Sequence, residues 1–116
     1  MAIQSFQDLT VWQKSFDLVE KIYIFTSKLP SEEKFGIISQ IRRSAVSVPS
    51  NIAEGFGRNN RKEFSQFIGI ARGSAAELET QLLIVKKVYG IELTAELKLL
   101  TEVRKMLTSL SQKIRV

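Results

Sequence analysis

This chain contains no cysteine and no histidine. The first absence excludes a disulfide framework and thiolate metal sites. The second leaves zinc, haem and imidazole-based catalysis without their usual ligand or base. Proline occurs twice and glycine six times in 116 residues, so turns are few and elements long. No run of about 18 apolar residues occurs, so nothing reads as a membrane-spanning helix. The first residues lack a basic stretch followed by an apolar one, so they do not read as a secretory signal, and the expected compartment is the cytoplasm.

What is present belongs to a globular protein. The chain is 44% hydrophobic and 25% charged, and its length suits one domain over 1–116. Lysine and arginine number 17 against 12 acids, a net charge of +5 that favours an anionic partner. Most of the excess lies within residues 42–72, where Arg42, Arg43, Arg58, Arg61, Lys62 and Arg72 face only Glu54 and Glu63. Arginine binds phosphate bidentately and stacks on bases. Two readings stay open at this point: a surface for nucleic-acid phosphates, or the solvated rim of a bundle. Sequence-specific base readout lacks a recognition-helix motif.

Apolar periodicity predicts four helices. The first runs from about 6 to 28, opened by a Ser5/Asp8 capping pattern and ended by Leu29-Pro30. Leu9, Trp12, Phe16, Val19, Tyr23 and Thr26 keep heptad spacing, and Val11, Leu18, Ile22, Phe25 and Leu29 form a second set. Together they span an arc of roughly 200°, wider than one core needs, which points to burial on two sides. Trp12 lies on the heptad seam, which is expected to face the core, and is expected to anchor bundle or subunit packing rather than to stack on a base. The second helix is expected to start at a Ser31 N-cap and to close at Gly55 and Gly57 in the left-handed conformation, with a turn over 55–62. The third is capped by Asn60 and stopped by Gly90. Phe64, Ile68, Ala71, Ala75, Leu78, Leu82, Val85 and Tyr89 hold its register, beside a small-residue face of Gly69, Gly73 and Ala76. The fourth runs from a Thr94 cap to about 114. Long helices joined by short loops predict an all-α, up-down-up-down antiparallel four-helix bundle.

Residues 40–58 stand apart from this regularity. Pro49 sits inside the predicted second helix, at a cost of about 3 kcal/mol in an ordinary helix interior. Arg43, Ser47, Asn51 and Glu54 recur at helical spacing, and Glu77 and Gln81 form an i, i+4 pair on the third helix. These six are expected to form a structural hydrogen-bonded network that fixes the register of the two helices. The glycine-rich turn lacks the Walker spacing and no strand precedes it. A carboxylate metal site of Glu54, Glu77 and Glu79 lacks the histidines of di-iron bundles. No metal, cofactor or catalytic group is therefore expected, and the chain reads as a non-enzymatic protein.

Three blocks carry a family resemblance. They are residues 40–58; Glu63-Phe64, Phe67, Ile70-Ala71, Gly73-Ser74 and residues 77–82; and Asp8-Leu9 with residues 11–14. This pattern resembles the four-helix-bundle family of 23S rRNA intervening-sequence proteins, which is related to accessory proteins of diversity-generating retroelements. The resemblance implies a bacterial, basic homo-oligomer, a pentamer of bundles packed side by side. It implies RNA or DNA as partner, or a reverse transcriptase or other protein. Carried onto this chain, it makes Arg42, Arg43, Arg58, Arg61 and Lys62 the candidates for nucleic-acid contact. The alternative from a different class is an assembly or adaptor module without nucleic-acid affinity.

Overall fold

The computed structural model describes residues 3–114. The capping box forms: Gln7 N–H donates to Ser5 Oγ (3.1 Å) and Ser5 N–H to Asp8 Oδ2 (3.1 Å). It opens a single 3-10 turn, Phe6–Asp8, and not the first long helix. Leu9 is extended, and α1 follows over Thr10–Thr26. The second helix also starts later than expected. Pro30 precedes a 3-10 turn at Ser31–Glu33, so Ser31 does not cap a long helix. Gly36 then takes the N-cap position of α2, Ile37–Phe56. This helix runs unbroken through Pro49.

α3 spans Arg61–Tyr89 and is capped as its sequence predicts, with Glu63 N–H donating to Asn60 Oδ1 (2.8 Å). Gly90, at φ +64, ends it in the left-handed region. At about 1.5 Å per residue its 29 residues account for the molecule's 43 Å long dimension. α4 covers Thr94–Lys113. Leu93 is its N-cap, and the Thr94 hydroxyl bonds to Glu92 instead (3.0 Å), so the expected Thr94 cap is absent. The described residues are all-helical and contain no strand. α1 packs on α2 and α4, and α3 packs on the same two.

Two further expectations need correction. The first concerns which face of α1 meets the core. Val11, Leu18, Ile22 and Phe25 are buried, so the second apolar set faces inward. Of the heptad set only Thr26 is fully enclosed, while Phe16 and Tyr23 are 56% and 42% exposed. Both stripes are apolar, and the side shared between α2 and α4 takes the one centred between them. The heptad set lies along the outer shoulder against α2.

The second concerns Gly55 and Gly57. Gly57 is right-handed (φ −75), and Gly55 lies buried inside α2. A Cβ there would stand 2.8 Å from Phe67 Cβ and 3.0 Å from Phe64 Cδ1. The glycine serves close approach of α3, not a left-handed turn. The predicted seam of α3 is buried, with Ile68, Leu78 and Leu82 at 0% exposure, and it meets Ile41 and Ile52 of α2 and Leu100 and Leu107 of α4, also at 0%, in one core. The hydroxyls of Ser15 and Thr26 are satisfied by carbonyls one turn back on their own helix.

Candidate nucleic-acid interface

The six candidate cations occupy different places. Arg42, half-buried on α2, donates from Nε to Thr26 Oγ1 (2.9 Å), and its guanidinium lies 4.4 Å from the Tyr23 ring centroid. Its neighbour Arg43 is exposed, with no hydrogen bond or ion pair among the described residues. Arg58 is engaged: it bonds Glu54 (3.1 Å), stands 3.9 Å from Glu63 and lies 4.9 Å over Phe67. Arg61 donates to the Lys113 carbonyl at the end of α4 (2.6 Å). Lys62 and Arg72 are exposed and unpaired among the described residues.

The sixteen positions between Arg42 and Arg58 correspond to about 24 Å along α2. The cations therefore form two groups at opposite ends of that helix, with Arg72 farther along α3. Arg43, Lys62 and Arg72 are the ones free to meet an anion.

The expected polar network is smaller than six residues. Ser47 Oγ and Ser74 Oγ share a 2.7 Å hydrogen bond across α2 and α3. Asn51 Nδ2 donates to the Ser47 carbonyl (2.8 Å) and hydroxyl (2.9 Å). Arg43, Glu54, Glu77 and Gln81 stay outside. A step of four residues overshoots a full helical turn by about 40°, so a stripe drifts around the helix as it climbs. Asn51 has turned into the interface where Arg43 still faces solvent. Glu54 pairs with Arg58, Glu79 with Arg104 (2.6 Å), and Glu77 edges a shallow groove on α3 with Gly73, Ala76, Thr80 and Gln81. These three carboxylates do not share a site. Gln81 Oε1 is buried and has no hydrogen-bond partner among the described residues.

Several exposed groups escaped the sequence reading. Ile70, Ile84 and Val88 are 51%, 48% and 66% exposed on the outer face of α3. Ile70, Gly73, Thr80 and Ile84 share one heptad register, interrupted by Glu77, and Val88 lies one turn beyond, a second stripe hidden by the stronger inner one. A methyl group placed on Gly69 or Gly73 would meet nothing within 4 Å, so no helix of the same chain approaches them. On the opposite flank, Trp12, Phe16, Val19, Val46, Pro49 and Ala53 line an apolar groove between α1 and α2. Trp12 stacks on Phe16 (4.9 Å) and meets Phe6 edge-on (5.2 Å), so it packs against protein. Phe35 is 91% exposed in the segment before α2. It belongs to no periodic stripe, and only its isolation beside Lys34 could have marked it.

Two titrations are displaced. The Lys14 ammonium, 2.7 Å from Glu102, hydrogen-bonds that carboxylate and holds its pKa below the usual range. The Tyr89 hydroxyl donates to Glu33, which raises the phenol's pKa, aided by burial and by the charges of Glu33 and Glu32.

The model of the 23S rRNA-intervening sequence protein family matches residues 7–111. The chain belongs to this family. A crystal structure of a protein of unknown function from the S23 ribosomal protein family of Bacteroides thetaiotaomicron is similar over 92% of this chain and 100% of that one. The two share 28% identity with a TM-score of 0.78. No curated protein matches the chain. The match takes in α1, α2, α3 and nearly all of α4, so the family and the helical core coincide. No helix among the described residues is long and apolar enough to cross a membrane.

Proposed function

We propose that this family member is a non-enzymatic homo-oligomer of up-down-up-down antiparallel bundles that binds RNA or DNA through phosphates. Its setting is the bacterial cytoplasm, and five copies is the number the family resemblance implies. The observation that carries the binding is the set of candidate cations with no partner among the described residues, Arg43, Lys62 and Arg72, in a chain of net charge +5. Arg58 and Arg61, spent on internal partners, contribute less. Assembly is supported by the two apolar flanks, one aromatic on α1 and α2 and one small-residue on α3.

Neutralised phosphates release counterions, so affinity falls with salt at a log–log slope of about −0.7 to −0.9 per phosphate. Changing Arg43, Lys62 and Arg72 together to Ala is expected to flatten that slope by about two per chain while helicity persists. Light scattering with a short RNA at two salt concentrations reads mass and binding together. An oligomer whose RNA binding ignores both salt and the triple substitution would refute the phosphate surface.

A second reading is favoured by the exposed apolar groups alone. In it the oligomer is an adaptor for a protein partner, a reverse transcriptase or another, and the charge serves solubility. It predicts an oligomer indifferent to RNA at every salt concentration.

A further inference from the structure

We infer that the groove between the end of α1 and the start of α2 binds an unpaired nucleotide, its base stacked on Phe35 and its phosphate held by Lys34, Arg42 and Arg43. This rests on the nucleic-acid reading above and goes beyond it by naming the strand state and the site.

The groove measures about 450 Å³, within the range of roughly 300–1,000 Å³ usual for small-ligand sites. Its lining includes two aromatic rings, Tyr23 and Phe35, and three cations, with no carboxylate. The nearby acids turn elsewhere: Glu33 receives the Tyr89 hydroxyl, and Glu32 also acts on that phenol. Phe35 is the most exposed large hydrophobic side chain described. It is not on a loose tail. Lys34 N–H donates to the Ser31 carbonyl and Gly36 N–H to the Glu33 carbonyl, both at 3.1 Å, so the turn presents the ring. Arg42 is also set in place, tied to Thr26 and lying over Tyr23, while Arg43 beside it is free.

Cations alternating with aromatic faces form the usual platform for single strands, because every unpaired base has an open π-face and every link a phosphate. A paired base offers no such face. A protein partner fits less well, since an apolar surface laid over Phe35 would bury three cations without counter-charges.

The test uses a fluorescent uridine dodecamer and an RNA duplex of equal length, with anisotropy as readout near physiological salt. Phe35→Ala is expected to weaken single-strand binding by about fivefold or more, the effect of losing one base–aromatic stack, and to spare the duplex. Phe35→Trp retains the stack and the affinity. Arg43→Ala weakens both ligands. A dodecamer carrying iodouracil should crosslink under ultraviolet light to the peptide holding Phe35 or Tyr23. If wild type binds both RNAs and Phe35→Ala changes neither, the site is refuted while the phosphate surface stands. If Phe35→Ala instead lowers the mass of the assembly, the ring is a protein contact and the site is refuted. If wild type binds neither RNA, both readings fall together.

Discussion

Substituting Gly55 by Ala tests the α2–α3 packing directly. In an ordinary helix interior, glycine to alanine stabilises by about 0.5–1 kcal/mol. Here the new methyl would lie 2.8 Å from Phe67 Cβ, 3.0 Å from Phe64 Cδ1 and 3.3 Å from the Phe64 carbonyl. Phe64 can rotate, but the Cβ of Phe67 and the carbonyl are fixed to the α3 backbone. Relief requires the two helices to part by several tenths of an ångström, along the pair that also carries the Ser47–Ser74 bond. Overpacking of this kind costs about 1–3 kcal/mol. Set against the propensity gain, the net loss is about 1–2 kcal/mol. For a chain of this length that lowers Tm by about 4–8 °C. Circular dichroism melting of wild type and Gly55→Ala at matched concentration measures it. A rise in Tm would show that propensity governs this position, and the close-approach account of Gly55 would be wrong.

Three further outcomes are expected. A Cβ at Gly73 meets nothing in the single chain, so for Gly73→Leu melting should stay cooperative; if the proposed assembly uses the α3 face, light scattering shows a smaller particle than wild type, and an unchanged mass would remove that face from the proposal. Lys14→Met should melt below wild type at neutral pH, with the gap closing in acid. Glu102 has a lowered pKa, so its contribution is present above the ordinary carboxylate range and lost as pH falls through the lowered value; a gap constant with pH would contradict this. Tyr89 has a raised pKa, so its contribution is full below the ordinary phenol range and lost as pH rises through the raised value. Ultraviolet titration should show a late-ionising phenol that moves earlier in Glu33→Gln, and no such movement would separate the two groups.

The inner seam of α3 was legible because one long stripe dominates it: Ile68, Ala71, Ala75, Leu78, Leu82 and Val85 are all buried as their spacing requires. α1 was legible as a helix but not in its orientation. Periodicity identifies a stripe, and α1 carries two; only the positions of α2 and α4 decide between them. Ser31 gave a sound local cap signal, overridden where Pro30 and Gly36 bracket a single 3-10 turn. Gly55 was ambiguous because a glycine near a helix end serves a left-handed turn or a close approach, and only the neighbour distinguishes them. The candidate cations were legible as a run of like charge, but a helix separates charges by rise as well as by rotation. A cluster in sequence becomes two groups in space. Phe35 follows no period, so no pattern could single it out.

That separation acts as a ruler. Arg42 and Arg58 stand about 24 Å apart along the axis of α2, and each strand of a B-form duplex advances about 3.4 Å per nucleotide. On the proposed phosphate surface, a duplex would therefore have to extend over about seven base pairs before one copy could hold it at both groups. Shorter duplexes would meet one group of cations at a time, so the proposed surface predicts affinity that rises in a step once that length is reached.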